Sequence, residues 1–120
     1  YEIVPRDWSS DVCSSDLGMP GNDDCGSMGS WYVFASIGLY PMIPGIAGFS
    51  VSLPYFNNIT LHFPKGKLKI KGGDFSKSYI NGMKINDVKS NKTWIDWAEI
   101  VNGGFIEYKA DNKANKKWGL

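Results

Sequence analysis

GMPGNDDCGSMGSWYVFASIGLYPMIPG, Gly18 to Gly45, is the stretch on which the fold turns. Its first nine residues, Gly18 to Gly26, are punctuated by Gly and Pro and carry two adjacent carboxylates, Asp23 and Asp24, so they read as a loop. Ser27 to Tyr40 reads as a helix. Met28, Trp31, Tyr32, Ala35 and Leu39 recur on one face, Asp24 sits at or near the N-cap, and Pro41 and Pro44 stop the ladder because neither can donate to it. Val33, Phe34, Ile37 and Tyr40 occupy the other faces. A helix apolar nearly all round is normally buried on all sides. A chain of 120 residues with one such helix cannot surround it. The helix expects neighbours that this chain does not contain, and the chain reads as a fragment of something larger.

Upstream, the run DWSSDVCSSDL, Asp7 to Leu17, has no apolar period of 2 or 3.6. It resembles the in-frame translation of a sequencing-library adapter, the alternative being a Ser/Asp-rich surface loop. On the adapter reading residues 1–17 are non-native or untrusted, and Trp8 and Cys13 carry no function. The net charge then also changes meaning. The whole chain has 13 basic and 12 acidic residues, a net +1, whereas without the three aspartates of this run 13 face 9, a net +4.

Downstream, from about Ala47, short β segments alternate with turn residues. GFSVSLP, NITLHFP, KLKIKGG and GGFIEYKA show partial alternation, broken at Pro54, Pro64-Lys65-Gly66, Gly72-Gly73 and Gly103-Gly104. Lys65, Lys67, Lys69 and Lys71 fall on one face of a strand, with Leu68 and Ile70 on the other; alternating lysines on an outer strand serve solubility and edge protection. Asn81-Gly82 predicts a tight turn between the YI and MKI segments, and Asp96 to Val101 a short helical turn. The fold class expected is therefore an α+β fragment. Residues 18–46 contribute a loop and one buried helix, and residues 47–120 a small antiparallel β-sheet or sandwich.

Composition adds bounds. Hydrophobic residues at 42% and charged residues at 21% exclude a disordered tail. No run of about 18 apolar residues predicts a spanning helix. Nucleic-acid binding is not expected, since the only arginine is Arg6, outside the trusted region. Two cysteines, Cys13 and Cys25, do not fix a redox compartment.

The strongest chemical constellation is Asn22-Asp23-Asp24, flanked by Gly21 and Gly26 and opening the helix. Glycines allow close backbone approach to a ligand. A helix N-terminus favours ionised carboxylates, which suits a general base and not a general acid. The same residues also fit an ordinary N-cap with a second acid in the first turn.

GMPGNDDCGSMGSWYVFASIGLYPMIPG resembles the GxPGNDDCGxMxxWYVFxxxGxYPxxPG signature of glycoside hydrolase family 92, the calcium-dependent exo-α-mannosidases. The likeness continues through PYFNNITLHFPKGKLKI, Asn81-Gly82 and IVNGGFIEYKADNKANKKWG, and so covers Gly18 to Leu120. Ser27 stands where the family has Gln, and Gly29-Ser30 where it has Ser-Ala.

The resemblance implies the C-terminal part of an inverting hydrolase, with the helix belonging to a truncated (α/α)6 toroid. It implies Asp24 as the base that activates water, with Asp23 or Asn22 positioning that water or relaying its proton. Asn22 and Trp31 are the candidate substrate contacts. The implied substrate is a mannose-containing glycan, the implied partner is the missing upstream part of the same enzyme, and the implied location is extracellular or periplasmic. The catalytic acid and most calcium ligands of the family lie upstream, so no metal ligand is assigned in this chain and the isolated chain is expected to be inactive.

The remaining candidates carry weaker signals. His62 lacks a partner for catalysis, Cys25 reads as a small buried residue behind the base, and Tyr32 as core. Asn58-Ile59-Thr60 and Asn91-Lys92-Thr93 fit the glycosylation pattern, which arises easily by chance. Trp94 and Trp97 suit either packing or a sugar-stacking platform. The platform would make the chain a small β-rich carbohydrate-binding module instead of an enzyme fragment.

Overall fold

The computed structural model describes residues 24–120. The chain divides into two compact units between Val33 and Phe34. In the first, a 3-10 turn, Asp24–Gly26, leads into helix α1, Ser27–Ile37.

The helix stops three residues short of the expected Tyr40. Gly38 adopts a φ of +83°, and its N–H donates to the carbonyls of Phe34 (3.1 Å) and Ala35 (3.2 Å). This is the left-handed glycine that commonly closes a helix. Leu39 and Tyr40, apolar and in helical phase, instead form a two-residue strand, β1. Within this chain the helix has no cover over most of its surface, as expected of a helix whose neighbours lie outside it. Trp31, Tyr32 and Val33 are each more than half exposed, and the only fully buried helical side chain is Ser36. Three consecutive residues span about 200° of the helix, so most of its circumference faces outward.

The second unit holds two sheets and a short helix. Strands β1 (Leu39–Tyr40), β2 (Gly48–Val51) and β7 (Trp94–Asp96) form an antiparallel sheet in the order β1-β2-β7. Strands β3 (Asn58–Phe63), β4 (Gly66–Lys71), β5 (Tyr79–Ile85), β6 (Val88–Ser90) and β8 (Gly104–Asp111) form the larger sheet, in the order β3-β4-β8-β5-β6. Helix α2, Trp97–Ile100, falls inside the range expected for it.

The larger sheet is mixed, not antiparallel throughout. β4 and β8 run parallel, with Leu68 opposite Gly104 and Ile70 opposite Ile106. A parallel pair needs a long crossover, and here β5, β6, β7 and α2 supply it. β4 is thus an internal strand, so edge protection does not account for its lysines; the edge strand β3 presents Asn58, Thr60 and His62 on the lysine face instead.

The Asn81-Gly82 turn is likewise corrected. Both residues lie inside β5, where the register against β8 slips between Ile80 and Gly82. An extra residue there makes a bulge, which a glycine accommodates. The turn lies further on, at Asn86 and Asp87, with φ of +50° and +68°. Two successive positive-φ residues are the signature of the two-residue hairpin. Asn86 further accepts the Phe105 N–H on Oδ1 at 2.9 Å, fixing the turn to β8.

One core serves both sheets. Leu39, Leu68, Ile70, Met83, Ile95, Ile100, Ile106 and Tyr108 are buried together. Alternation explains the membership: β3 turns Ile59, Leu61 and Phe63 inward, opposite Ile70, Leu68 and Gly66 of β4. Each fully buried Leu or Ile contributes about 1.5–3 kcal/mol relative to exposure.

Tyr108 is the core residue with a polar tip, and its hydroxyl has no hydrogen-bond partner among the described residues. Burial pushes its pKa well above the ordinary value of 10.0. Above that value the unfolded chain loses the tyrosine proton while the folded chain keeps it, so stability falls as pH rises and is unaffected below. Tyr108→Phe is expected to flatten the loss of thermal stability between about pH 9 and pH 11. An unchanged slope in melting temperature against pH would show that another group is responsible.

Candidate active-site segment

Asp24 is exposed and begins the 3-10 turn, one turn ahead of α1. The residues between it and the helix have left-handed backbones: Cys25 at φ 55°, ψ 32°, and Gly26 at φ 74°. The chain therefore changes direction sharply after Asp24, and the helix proper starts at Ser27. Asp24 lies three residues ahead of Ser27, where the helix proper begins. A Cβ built on Gly26 meets nothing within 4 Å. That glycine is required for its positive φ, not for a close approach.

Cys25 is an exposed free thiol and not the buried residue expected behind the base. Trp31 sits four residues into α1, a little over one turn from its start, and is 54% exposed. It is available for contact and does not belong to the core. Asn22 and Asp23 lie outside the described residues, so only Asp24 of the three-residue constellation has a described position.

Among the described residues no group of three His, Cys, Asp or Glu side chains is arranged to hold a metal ion. These residues alone do not fit a calcium cage, and no chemical step is routed through calcium here.

The two tryptophans considered for a sugar platform have other contacts. The Trp97 ring packs edge-on against Phe49 and Phe63, with centroids 6.2 and 5.2 Å apart. Trp94 donates from Nε1 to Asp96 Oδ1 at 3.0 Å, and its ring covers Gly48 so closely that a Cβ there would lie 2.5 Å from it. Among the exposed aromatics of the β unit are three in loops, Tyr55, Phe56 and Phe75, of which Tyr55 and Phe75 form an edge-on pair at 5.4 Å. No periodicity marks these three in the sequence, because they lie in the loops flanking β3 and β5. His62 is exposed on β3, opposite Lys67.

The fold has counterparts among known glycosidases. The model of the glycosyl hydrolase family 92 catalytic domain matches residues 3–112. The chain belongs to glycosyl hydrolase family 92. The match begins ahead of the adapter-like run, which itself lies outside the described residues. An uncharacterised secreted glycosidase of Arthroderma benhamiae is 33% identical over 108 residues, 85% of this chain and 14% of the relative.

Among solved structures, the family 92 inverting mannosidase BT2199 of Bacteroides thetaiotaomicron superposes with a TM-score of 0.75 at 27% identity, over 81% of this chain and 14% of that one. The α-mannosidase BT3965 of the same organism superposes with a TM-score of 0.78 at 26% identity, over 85% and 14%. The chain thus spans about one-seventh of the length of these relatives. No helix among the described residues is long and apolar enough to cross a membrane.

Proposed function

We propose that the chain is the C-terminal part of an inverting exo-α-mannosidase acting on mannose-containing glycans, with Asp24 as its general base. The observation that carries this reading is the exposed Asp24 carboxylate, set on a sharp left-handed turn at the start of an outward-facing apolar helix, within a family 92 chain. An ionised carboxylate in that position accepts a proton from water, and the resulting hydroxide-like oxygen attacks the anomeric carbon from the face opposite the leaving group. Asp23 and Asn22, adjacent in sequence, hold the water or pass its proton on, while Asn22 and Trp31 contact the sugar.

Inversion requires an acid about 6.5–9.5 Å from the base, across the scissile bond. That acid and the calcium ligands belong to the upstream part of the enzyme, so the 120-residue chain alone releases no mannose. In the same reading α1 is one helix of an (α/α)6 toroid, whose other helices cover Tyr32 and Val33. The enzyme works outside the cytoplasm, in the periplasm or medium.

The test is to follow hydrolysis of an aryl α-mannoside by the complete enzyme, using proton NMR. β-Mannose appearing first supports inversion, and α-mannose first would overturn it. Mannose release by the isolated chain above a blank would show that the upstream acid is dispensable.

A further inference from the structure

The face of the larger sheet turned away from the core is cationic. Lys67, Lys69 and Lys71 of β4, Lys84 of β5, Lys89 of β6 and Lys109 of β8 are all exposed on it. The register sets four of these strands in a row: Lys71 beside Glu107, Glu107 beside Lys84, and Lys84 directly opposite Lys89. Strands lie about 4.8 Å apart, so three ammonium groups share a single carboxylate across the width of the sheet. Like charges directly opposite one another destabilise a pair of strands. Five of the six lysines lie on the inner strands β4, β8 and β5, while of the two edge strands β3 has none and β6 only Lys89, so protection against edge pairing does not explain the set.

At one end of the face, Lys84, Lys89 and Lys109 line an open groove of about 540 Å³ with Glu107, Asn81 and Asn115. That volume lies in the range of small-molecule sites. Of the two aromatics on this face, Phe105 is half-buried and lies under Lys71, whose Nζ is 5.8 Å from the ring centroid, and Tyr79, opposite Asp111, is exposed at the end of β5. A single exposed ring makes no stacking platform for successive bases, and no arginine occurs among the described residues to fork onto phosphates.

We propose that this face binds an acidic polysaccharide, a glycan bearing carboxylates or sulfates at regular intervals, with the groove taking one of its sugar units. Spaced point charges on flexible stems suit an anionic chain of variable geometry, and a groove suits a chain better than a flat membrane surface. The proposal is independent of Asp24 and of the mannosidase reading.

The test measures binding of the 120-residue chain to dextran sulfate and to polygalacturonate, with neutral dextran as the blank, across a salt series. Retention on both acidic polymers that weakens with salt is expected. Replacing Lys69, Lys71 and Lys84 together by Gln should weaken it by roughly tenfold or more and reduce the salt dependence. The equal-charge triple Lys92→Gln, Lys116→Gln, Lys117→Gln, taken from outside the sheet strands, should leave it near the parent value. Equal losses from both triples would overturn the proposal, because net charge alone would then account for binding. Tighter binding to single-stranded DNA or to anionic lipid vesicles than to either polymer would also overturn it. Thermal melts of both triples distinguish lost binding from lost fold.

Discussion

Asp24→Asn in the complete enzyme is expected to lower mannoside hydrolysis by about 10²- to 10⁴-fold, the usual contribution of a positioned base. The change is nearly isosteric and leaves the shape of the 3-10 turn intact, but the amide cannot take a proton from water. Sugar binding should survive, because Asn retains an acceptor oxygen and a donor in the same place. The expected signature is a fall in kcat with KM held within a few-fold. The exposed turn and the positive φ of Cys25 and Gly26 sit outside the core, so the variant should melt like the parent. Near-normal turnover would remove Asp24 from the role of base. A KM that rises in step with the loss of kcat would make it a binding residue.

Gly72→Ala is expected to be the most damaging single-methyl change in the β unit. Gly72 has a φ of +85°, and a Cβ built there runs into the carbonyl oxygen of Tyr108 on β8. Left-handed backbone costs an alanine about 1–2 kcal/mol, and forced overlap in a packed region about 1–3 more. The obstacle is backbone and not the tip of a side chain, so relief requires moving β8 itself. A loss on the order of 3 kcal/mol or more in urea denaturation is expected. Gly45→Ala provides the control, since Gly45 has a φ of +82° but open space around its Cβ position. It should cost only about 1–2 kcal/mol. Equal losses at the two positions would show that backbone conformation, and not the approach of Tyr108, is what Gly72 protects.

Much of the β unit is legible in the sequence because its cause is local. Ile59, Leu61 and Phe63 alternate with polar residues, as do Leu68 and Ile70 with the lysines, and both strands form where the alternation lies. What the sequence hides is set by contacts made elsewhere. Nothing in KLKIKGG shows that its partner is a strand more than thirty residues away running parallel to it. Asn81-Gly82 carries the strongest local turn signal in the chain, yet pairing with β8 holds it within a strand, and the less conspicuous Asn86-Asp87 makes the turn. Leu39 and Tyr40 keep the helical period, but Gly38 releases them to β2. For the site, the acid-rich loop and Trp31 are evident as residue types, while the left-handed turn behind Asp24 follows from backbone geometry that residue type alone does not give.

The strand order gives the last described strand a particular role. β8, Gly104–Asp111, is the middle of five, with β4 on one side and β5 on the other. During synthesis β3–β4 and β5–β6 can each close as local hairpins, but neither finds its other neighbour until β8 has left the ribosome. The sheet assembles late and all at once, around its final piece, and its contacts are correspondingly distant along the chain, which slows folding. A chain interrupted before Gly104 would hold two hairpins with open inner edges, the kind of surface that recruits strands from other molecules.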